Sequence, residues 1–248
     1  DAVYVFCKDA IDKLSPGARA LLSERTRGVA VDYIDKDLDG FDFTAIDGHI
    51  ASSARQFDYL AGHAAPGSQA HLLPHQADLR LATLRPVQEP SWRPVYFGEP
   101  DNLFIPGHLR ERVDVYPYER KLDAGDIAAI SRHPWQYGVR PSGQNSAATV
   151  FKPATKIVNA AFFQAPPIVG RDADDALTLL GADYPYLVDT TAPESFDCVF
   201  DAIQSGTQSP EYARALDRLA HIRETHGFSQ TARCFEEICL ALYERRGS

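Results

Sequence analysis

Apolar and polar positions along the first eighty residues fall into alternating strand and helix patterns. Val3 to Cys7 is a short apolar run that reads as a strand, Ser15-Pro16 caps a helix through Leu22, and Val29 to Ile34 is the next strand. Phe43 to Ile46 fits a short helix or turn, His49 to Ser52 a third strand, Ser53 the cap of a helix through Leu60, and Ala70 to Leu73 a fourth strand ending at Pro74. Strand and helix alternating in this way imply a parallel, doubly wound sheet.

The pattern then breaks. From Leu84 to Pro94 the chain carries Pro86, Pro90 and Pro94 with few periodic apolar residues, which suits a linker. Alternation restarts beyond it: Val95 to Phe97 predicts a strand turning at Gly98, Val113 to Tyr116 another, and Trp135 to Val139 a third. A helix through Ile157, Val158, Ala160, Ala161 and Phe162 must stop before Pro166-Pro167, after which Ile168-Val169-Gly170 is an apolar strand. Asp172 to Leu180 predicts a helix ended by Gly181, Tyr186 to Val188 a strand, and Thr191 to Glu194 has the spacing of a capping box opening a helix to Ile203. Two amphipathic helices close the chain, one capped by Ser209 with Pro210 behind it and carrying Tyr212, Leu216 and Leu219. The other is capped by Ser229 and carries Phe235, Ile238, Leu242 and Tyr243.

The expected organisation is therefore α/β: two Rossmann-like lobes with parallel sheets facing a cleft, the first one short. The N-terminal lobe takes residues 1–85 and the second lobe residues 95–228, with residues 229–248 as a helix packing across the lobes. Doubly wound sheets bind ligands where the carboxyl ends of their strands meet a crevice.

Composition narrows the function. With 248 residues, 44% of them apolar, the chain can bury a normal core. A formal charge of −9 argues against a protein that coats nucleic acid or an anionic membrane and leaves small molecules as the expected partners. No run approaches the length of a membrane span, and the first residues lack the pattern of a secretory signal. Cys7, Cys198, Cys234 and Cys239 form no close-spaced pair, so free thiols in a reducing cytoplasm are expected. The sequence contains no methionine and opens almost directly on a strand, from which a missing upstream part is expected.

The densest chemistry lies between Thr149 and Arg171. Lys152 and Lys156 flank Pro153, a residue suited to the first turn of a helix, so free backbone amides there face the same way as two ammonium groups. An anion is the natural guest, with Thr155 adding a hydroxyl; the alternative is that both lysines are solvated helix residues. Arg140 follows a predicted strand and precedes Pro141-Ser142-Gly143, a loop at the ligand end of the sheet, and would otherwise make a surface salt bridge. Gly98 after Val95 to Phe97 lets backbone approach a ligand, and Asn102 offers both donor and acceptor. His75 follows an apolar strand and precedes Asp78, a carboxylate placed to orient it, which makes it the candidate base.

Other residues read more plainly. His49, inside a strand pattern, is expected to satisfy core hydrogen bonds, and His133 before Pro134 is a turn residue; neither makes a metal set with its neighbours. The acidic run from Asp32 to Asp39 lacks the glycine and terminal glutamate of a calcium hand and reads as a solvated strand end. Tyr184, Tyr186 and Trp135 either stack on a base or sugar or belong to the core or rim. No dinucleotide fingerprint, phosphate-binding P-loop or nucleophile elbow is present, which disfavours an unrelated doubly wound phosphatase or oxidoreductase.

In these segments the chain resembles the two-lobed glycosyltransferases of the GT-B type. In that group a strand leads to a helix with a Lys-Pro or Pro-Ser-Lys signature, then small residues, a Gly-x-Pro turn and an apolar strand. Lys152-Pro153-Ala154-Thr155-Lys156 through Ala165-Pro166-Pro167-Ile168-Val169 echoes that order. Asp47 to Ser53 followed by a helix, and Leu72 to Asp78 as the end of a first lobe, extend the likeness over most of the chain. The resemblance implies a nucleotide-sugar donor held mainly by the second lobe, an acceptor whose identity is open, and a metal-independent clamp on the diphosphate using no cofactor. Lys152, Lys156 and Arg140 would form that clamp. Many members place glutamates on the helix, one of them gripping the donor ribose; here Asn159 stands there, and an amide bonds a hydroxyl less strongly than a carboxylate does. That departure favours the alternative, a non-catalytic module of the same fold that binds a nucleotide, a sugar or a partner protein.

Overall fold

The computed structural model of the chain describes residues 2–87, 89, 92–117, 122–141 and 149–245. The chain divides into two compact units. The first takes Asp1–His75, Ala147–Pro153 and Ser229–Ser248, the second Gln76–Ser146 and Ala154–Phe228.

In the first unit β1 (Val3–Cys7), β2 (Gly28–Asp32), β3 (Gly48–Ala51) and β4 (Gln69–Leu72) form a parallel sheet whose spatial order is the sequence order. Helix α1 (Pro16–Arg25) joins β1 to β2, and α2 (Ala54–His63) joins β3 to β4. Both start where a serine precedes an apolar period, because the Ser15 hydroxyl accepts the Ala18 N–H at 3.2 Å and the Ser53 hydroxyl accepts the Gln56 N–H at 3.2 Å. Phe43 to Ile46 is a turn, with Ala45 at a φ of 59°. One sheet face buries Val31 and Ala51 with Tyr33, Leu60 and Phe151. The other buries Ala30 and Ile50 under Ile238 and Leu242 of α8 (Phe228–Arg245), two residues one helical turn apart. The helix lies so close that a Cβ on Gly48 would meet Leu242 Cδ1 at 2.7 Å.

Asp47 ties this unit together. Its buried carboxylate accepts the Val29 N–H at 2.9 Å and the Ser23 hydroxyl at 3.0 Å, and pairs with Arg245 at 3.3 Å, linking β2, α1 and α8. Asp47→Ala leaves a buried N–H, a hydroxyl and a guanidinium short of an acceptor. It is expected to destabilise the unit by about 3 kcal/mol, read as a lower thermal unfolding midpoint.

In the second unit β5 (Val95–Gly98), β6 (Asp114–Pro117), β7 (Gln136–Tyr137), β8 (Pro167–Gly170) and β9 (Leu187–Val188) are parallel in the order β6-β5-β7-β8-β9. After β6 the order reverses across β5, the arrangement of a doubly wound sheet, and the reversal places its switch point at the carboxyl ends of β5 and β7. The helices are α3 (Ala124–Ile130), α4 (Thr155–Phe163), α5 (Ala176–Leu180), α6 (Pro193–Gln204) and α7 (Pro210–Thr225). Helix α4 is apolar on nearly every side because it is buried, packing on β8 and α7.

Several local expectations are corrected. The chain passes from the first unit to the second at His75 and Gln76, ahead of the stretch 84–94, because Ala77 and Leu81 are buried in the second core. Pro90 of that stretch lies outside the described residues. From Ser229 onward α8 belongs to the first unit, where Ile238 and Leu242 find their apolar partners, and the helix starts at Phe228 rather than after a Ser229 cap. Helix α6 has Ala192 at its cap: Thr191 turns its N–H and hydroxyl to the Asp189 carboxylate, at 2.8 and 2.7 Å, and so makes no capping box. The helix expected from Asp172 begins only at Ala176. Helix α3, absent from the sequence reading, is fixed by a capping box between Asp123 and Asp126.

Candidate functional site

The switch point of the second sheet is built from β5 outward. Alternation along β5 puts Tyr96 and Gly98 on one face, and Gly98 has a φ of 142°, backbone that a side chain rarely adopts. Lys156, in the first turn of α4, reaches this point. Its ammonium donates to the Phe97 carbonyl and lies 4.2 Å from the Tyr96 ring centroid and 4.4 Å from that of Phe97. The bare backbone of two glycines makes room for it. A Cβ on Gly98 would stand 2.9 Å from Lys156 Nζ and 3.1 Å from the Tyr96 hydroxyl, and one on Gly138, just beyond β7, would stand 3.2 Å from Lys156 Cβ. The buried Tyr96 also fixes the next turn, its hydroxyl donating to the Glu99 carbonyl at 2.6 Å.

Arg140, half-buried beyond β7, acts electrostatically on both Lys156 and Tyr96. Burial above all, and then the like charge of Arg140, lower the Lys156 ammonium to about 7. Burial pushes the Tyr96 phenol up to about 12. Lys156 thus sits at the carboxyl end of β5, where a parallel sheet takes its ligand, and Arg140, beyond β7, acts on it.

Of the remaining residues expected at the site, Thr155 is the first residue of α4, half-buried, and Asn102 ends the short turn Pro100–Asn102, with its N–H on the Glu99 carbonyl at 3.0 Å. Asn159 is buried and its side-chain oxygen accepts the Asp78 N–H at 2.9 Å, so that oxygen holds a loop of the second unit. Pro153 precedes the helix cap Ala154 rather than lying in the first turn. Lys152 belongs to the first unit: Phe151 is buried there against Tyr59, the Leu38 N–H bonds the Thr149 carbonyl, and Lys152 Nζ lies 3.9 Å from Asp35. Burial alone would raise the Asp35 carboxyl, but Lys8 and then Lys152 hold it below its usual range.

His75 ends the first unit, half-buried, past the carboxyl end of β4. The Asp78 carboxylate accepts from the Arg80 guanidinium at 2.5 and 2.9 Å. Ser142 and Gly143, expected beside Arg140, lie outside the described residues. His49 is fully buried between the Tyr33 hydroxyl at 2.8 Å and the Ser68 hydroxyl at 3.3 Å, and burial lowers it to about 4. His133 bonds the Arg93 carbonyl at 3.2 Å. Tyr184, Tyr186 and Trp135 are core residues. Among the described residues no three His, Cys, Asp or Glu side chains gather as metal ligands, and no helix is long and apolar enough to cross a membrane.

The sequence reading missed Tyr96, Phe97 and Gly138. For Tyr96 the signal was present in β5, where an aromatic residue stands two positions before a glycine and so shares its face. It also missed a cavity of about 540 Å³ in the first unit, at the carboxyl ends of β1 and β2. Asp39 and Phe41 line it with two ion pairs, Arg19 to Asp42 at 2.6 Å and Lys36 to Asp12 at 2.5 Å.

No family model and no curated protein sequence matches the chain. Solved structures do. Sucrose-phosphate synthase from Thermosynechococcus elongatus superposes with a TM-score of 0.61 at 14% identity, over 98% of this chain and 74% of that one. Anabaena HepE, solved with UDP-glucose, gives 0.60 at 11% identity over 97% and 78%. WaaG, a glycosyltransferase involved in lipopolysaccharide biosynthesis, gives 0.53 at 11% over 91% and 84%. At these identities the likeness is one of fold, and the fold of this chain is that of the GT-B glycosyltransferases.

Proposed function

We propose that the chain transfers a glycosyl group from a nucleotide-activated sugar, with the donor diphosphate bound at the switch point of the second unit. The observation that carries this reading is the Lys156 ammonium seated beside the bare backbone of Gly98, with Arg140 beyond β7 acting on it. Transfer leaves negative charge on the departing diphosphate, and fixed cations aimed at that charge stabilise it more in the transition state than in the bound donor. Two cations and the free N–H groups at the start of α4 supply such a clamp from protein groups alone. Thr155 and Asn102 stand at the ends of the elements that carry the clamp and are assigned to hydroxyl and phosphate oxygens of the donor.

The acceptor is assigned to the cavity of the first unit, on the ground that it opens at the carboxyl ends of β1 and β2. His75 is the proposed base for its hydroxyl. His75→Gln is expected to lower kcat about 100-fold while the Kd for the donor stays within twofold, checked by turnover and binding measurements on the same preparation. Titration with uridine, guanosine and adenosine diphosphate sugars, followed by assays for sugar release or transfer, tests the reading as a whole. Binding of one of them together with turnover is the expected result, and failure of the whole panel to bind would sink it.

A further inference from the structure

The cavity of the first unit is lined from two connections, the turn and helix start after β1 and the loop after β2. Its two cations are sequestered. The Arg19 side chain, 7% exposed, donates to Asp42 twice, to the backbone carbonyl at 2.7 Å and to the carboxylate at 2.6 Å. Lys36, 11% exposed, lies 2.5 Å from Asp12 and 3.9 Å from Asp9, with its ammonium 5.3 Å from the centroid of the Phe41 ring. The carboxylates are the accessible members of these pairs, Asp12 at 49% exposure and Asp42 at 45%. Asp37 and Asp39 are exposed on the same lining, so four carboxylates stand there against two cations. The start of α1 does not offset them: Pro16 has no N–H, and the Ala18 N–H is taken by the Ser15 hydroxyl. A phosphate entering here meets carboxylates first and competes with an existing ion pair for each cation.

A neutral sugar meets the same surface differently. A carboxylate accepts from several donors at once, so hydroxyls can add to Asp12 and Asp42 without displacing Lys36 or Arg19. Arg19 Nε is buried and has no hydrogen-bond partner among the described residues, a donor suited to a hydroxyl oxygen. Ile11, Leu14 and Phe41 supply the apolar wall on which the C–H face of a sugar ring packs, and about 540 Å³ is room for a small molecule. Resting on the acceptor assignment above, we infer that the acceptor is an unphosphorylated sugar, held by its hydroxyls on the exposed carboxylates of this cavity, and that the same carboxylates reject its phosphorylated counterpart.

Ligand-observed NMR titration tests this with glucose, galactose, mannose and fructose, each beside its 6-phosphate, with and without UDP. For the free sugar that binds best, the 6-phosphate is expected to bind at least about fivefold more weakly, because its charge lies within a Debye length of the carboxylates. Asp39→Lys puts a cation on the exposed lining and is expected to reduce that preference by about fivefold or more. A 6-phosphate that binds within fivefold of its parent sugar, or more tightly than every free sugar, overturns the inference. If Asp39→Lys still alters that binding, the acceptor stays assigned to this cavity. Binding that Asp39→Lys leaves unaltered, or no binding by any of the eight, removes the inference and the cavity assignment together. Titration of the donor on the same preparation reports separately on the second unit.

Discussion

Lys156→Met is expected to weaken UDP-glucose binding at pH 6 by about 10- to 100-fold, the loss of one charge-assisted contact worth about 1.5–3 kcal/mol. The same substitution is expected to leave the second unit as stable as before. Methionine follows the lysine stem in length and keeps the apolar contact with Tyr96 and Phe97, while the cost of holding an ammonium beside Arg140 disappears. Thermal unfolding and calorimetry on one preparation separate the two effects: an unchanged midpoint with lost affinity marks Lys156 as a ligand group. A lowered midpoint with affinity reduced only in proportion would mark it as a packing residue.

Gly98→Ala is expected to act on both quantities. At a φ of 142° the alanine is strained by about 2 kcal/mol, which corresponds to a midpoint lower by on the order of 5 °C. The new Cβ also meets Lys156 Nζ at 2.9 Å and the Tyr96 hydroxyl at 3.1 Å. The lysine end can swing away, whereas Tyr96 is held by its bond to the Glu99 carbonyl, so the substitution unseats the ammonium and donor binding falls with it. Gly62→Ala is the matching control. It lies in α2 with nothing within 4 Å of its Cβ, and is expected to leave donor binding unchanged and raise the midpoint slightly, by about 0.5–1 kcal/mol in helix propensity.

Most of the strands were legible because parallel strands buried on both faces are apolar runs, and Val29 to Val31 or Ile168 to Gly170 cannot be mistaken for surface. Helix starts were legible where a serine stands free to cap, as at Ser15, Ser53 and Ser209. Thr191 misled because Asp189, two residues upstream, competes for its hydroxyl and N–H, a contest that spacing alone does not decide. Lys156 stands at the carboxyl end of β5, on the Phe97 carbonyl, and Arg140 follows β7 and acts on it. Lys152 follows Phe151 instead, whose burial in the first core assigns it to the other unit, and four residues of separation in sequence carry no information about that division. Asn159 faces a backbone N–H of its own unit, a partner 81 residues away that no local pattern announces.

Charge and bare backbone meet at the carboxyl ends of β5 and β7, where Lys156 lies beside Gly98 and Gly138. A crystal structure of the chain grown with UDP-glucose at pH 6 tests that arrangement most directly. A diphosphate at Gly98 is expected within hydrogen-bond reach of Lys156 Nζ and the Arg140 guanidinium, with the lysine lifted from the Phe97 carbonyl. A sugar nucleotide bound elsewhere, with Lys156 still resting on that carbonyl, would contradict it.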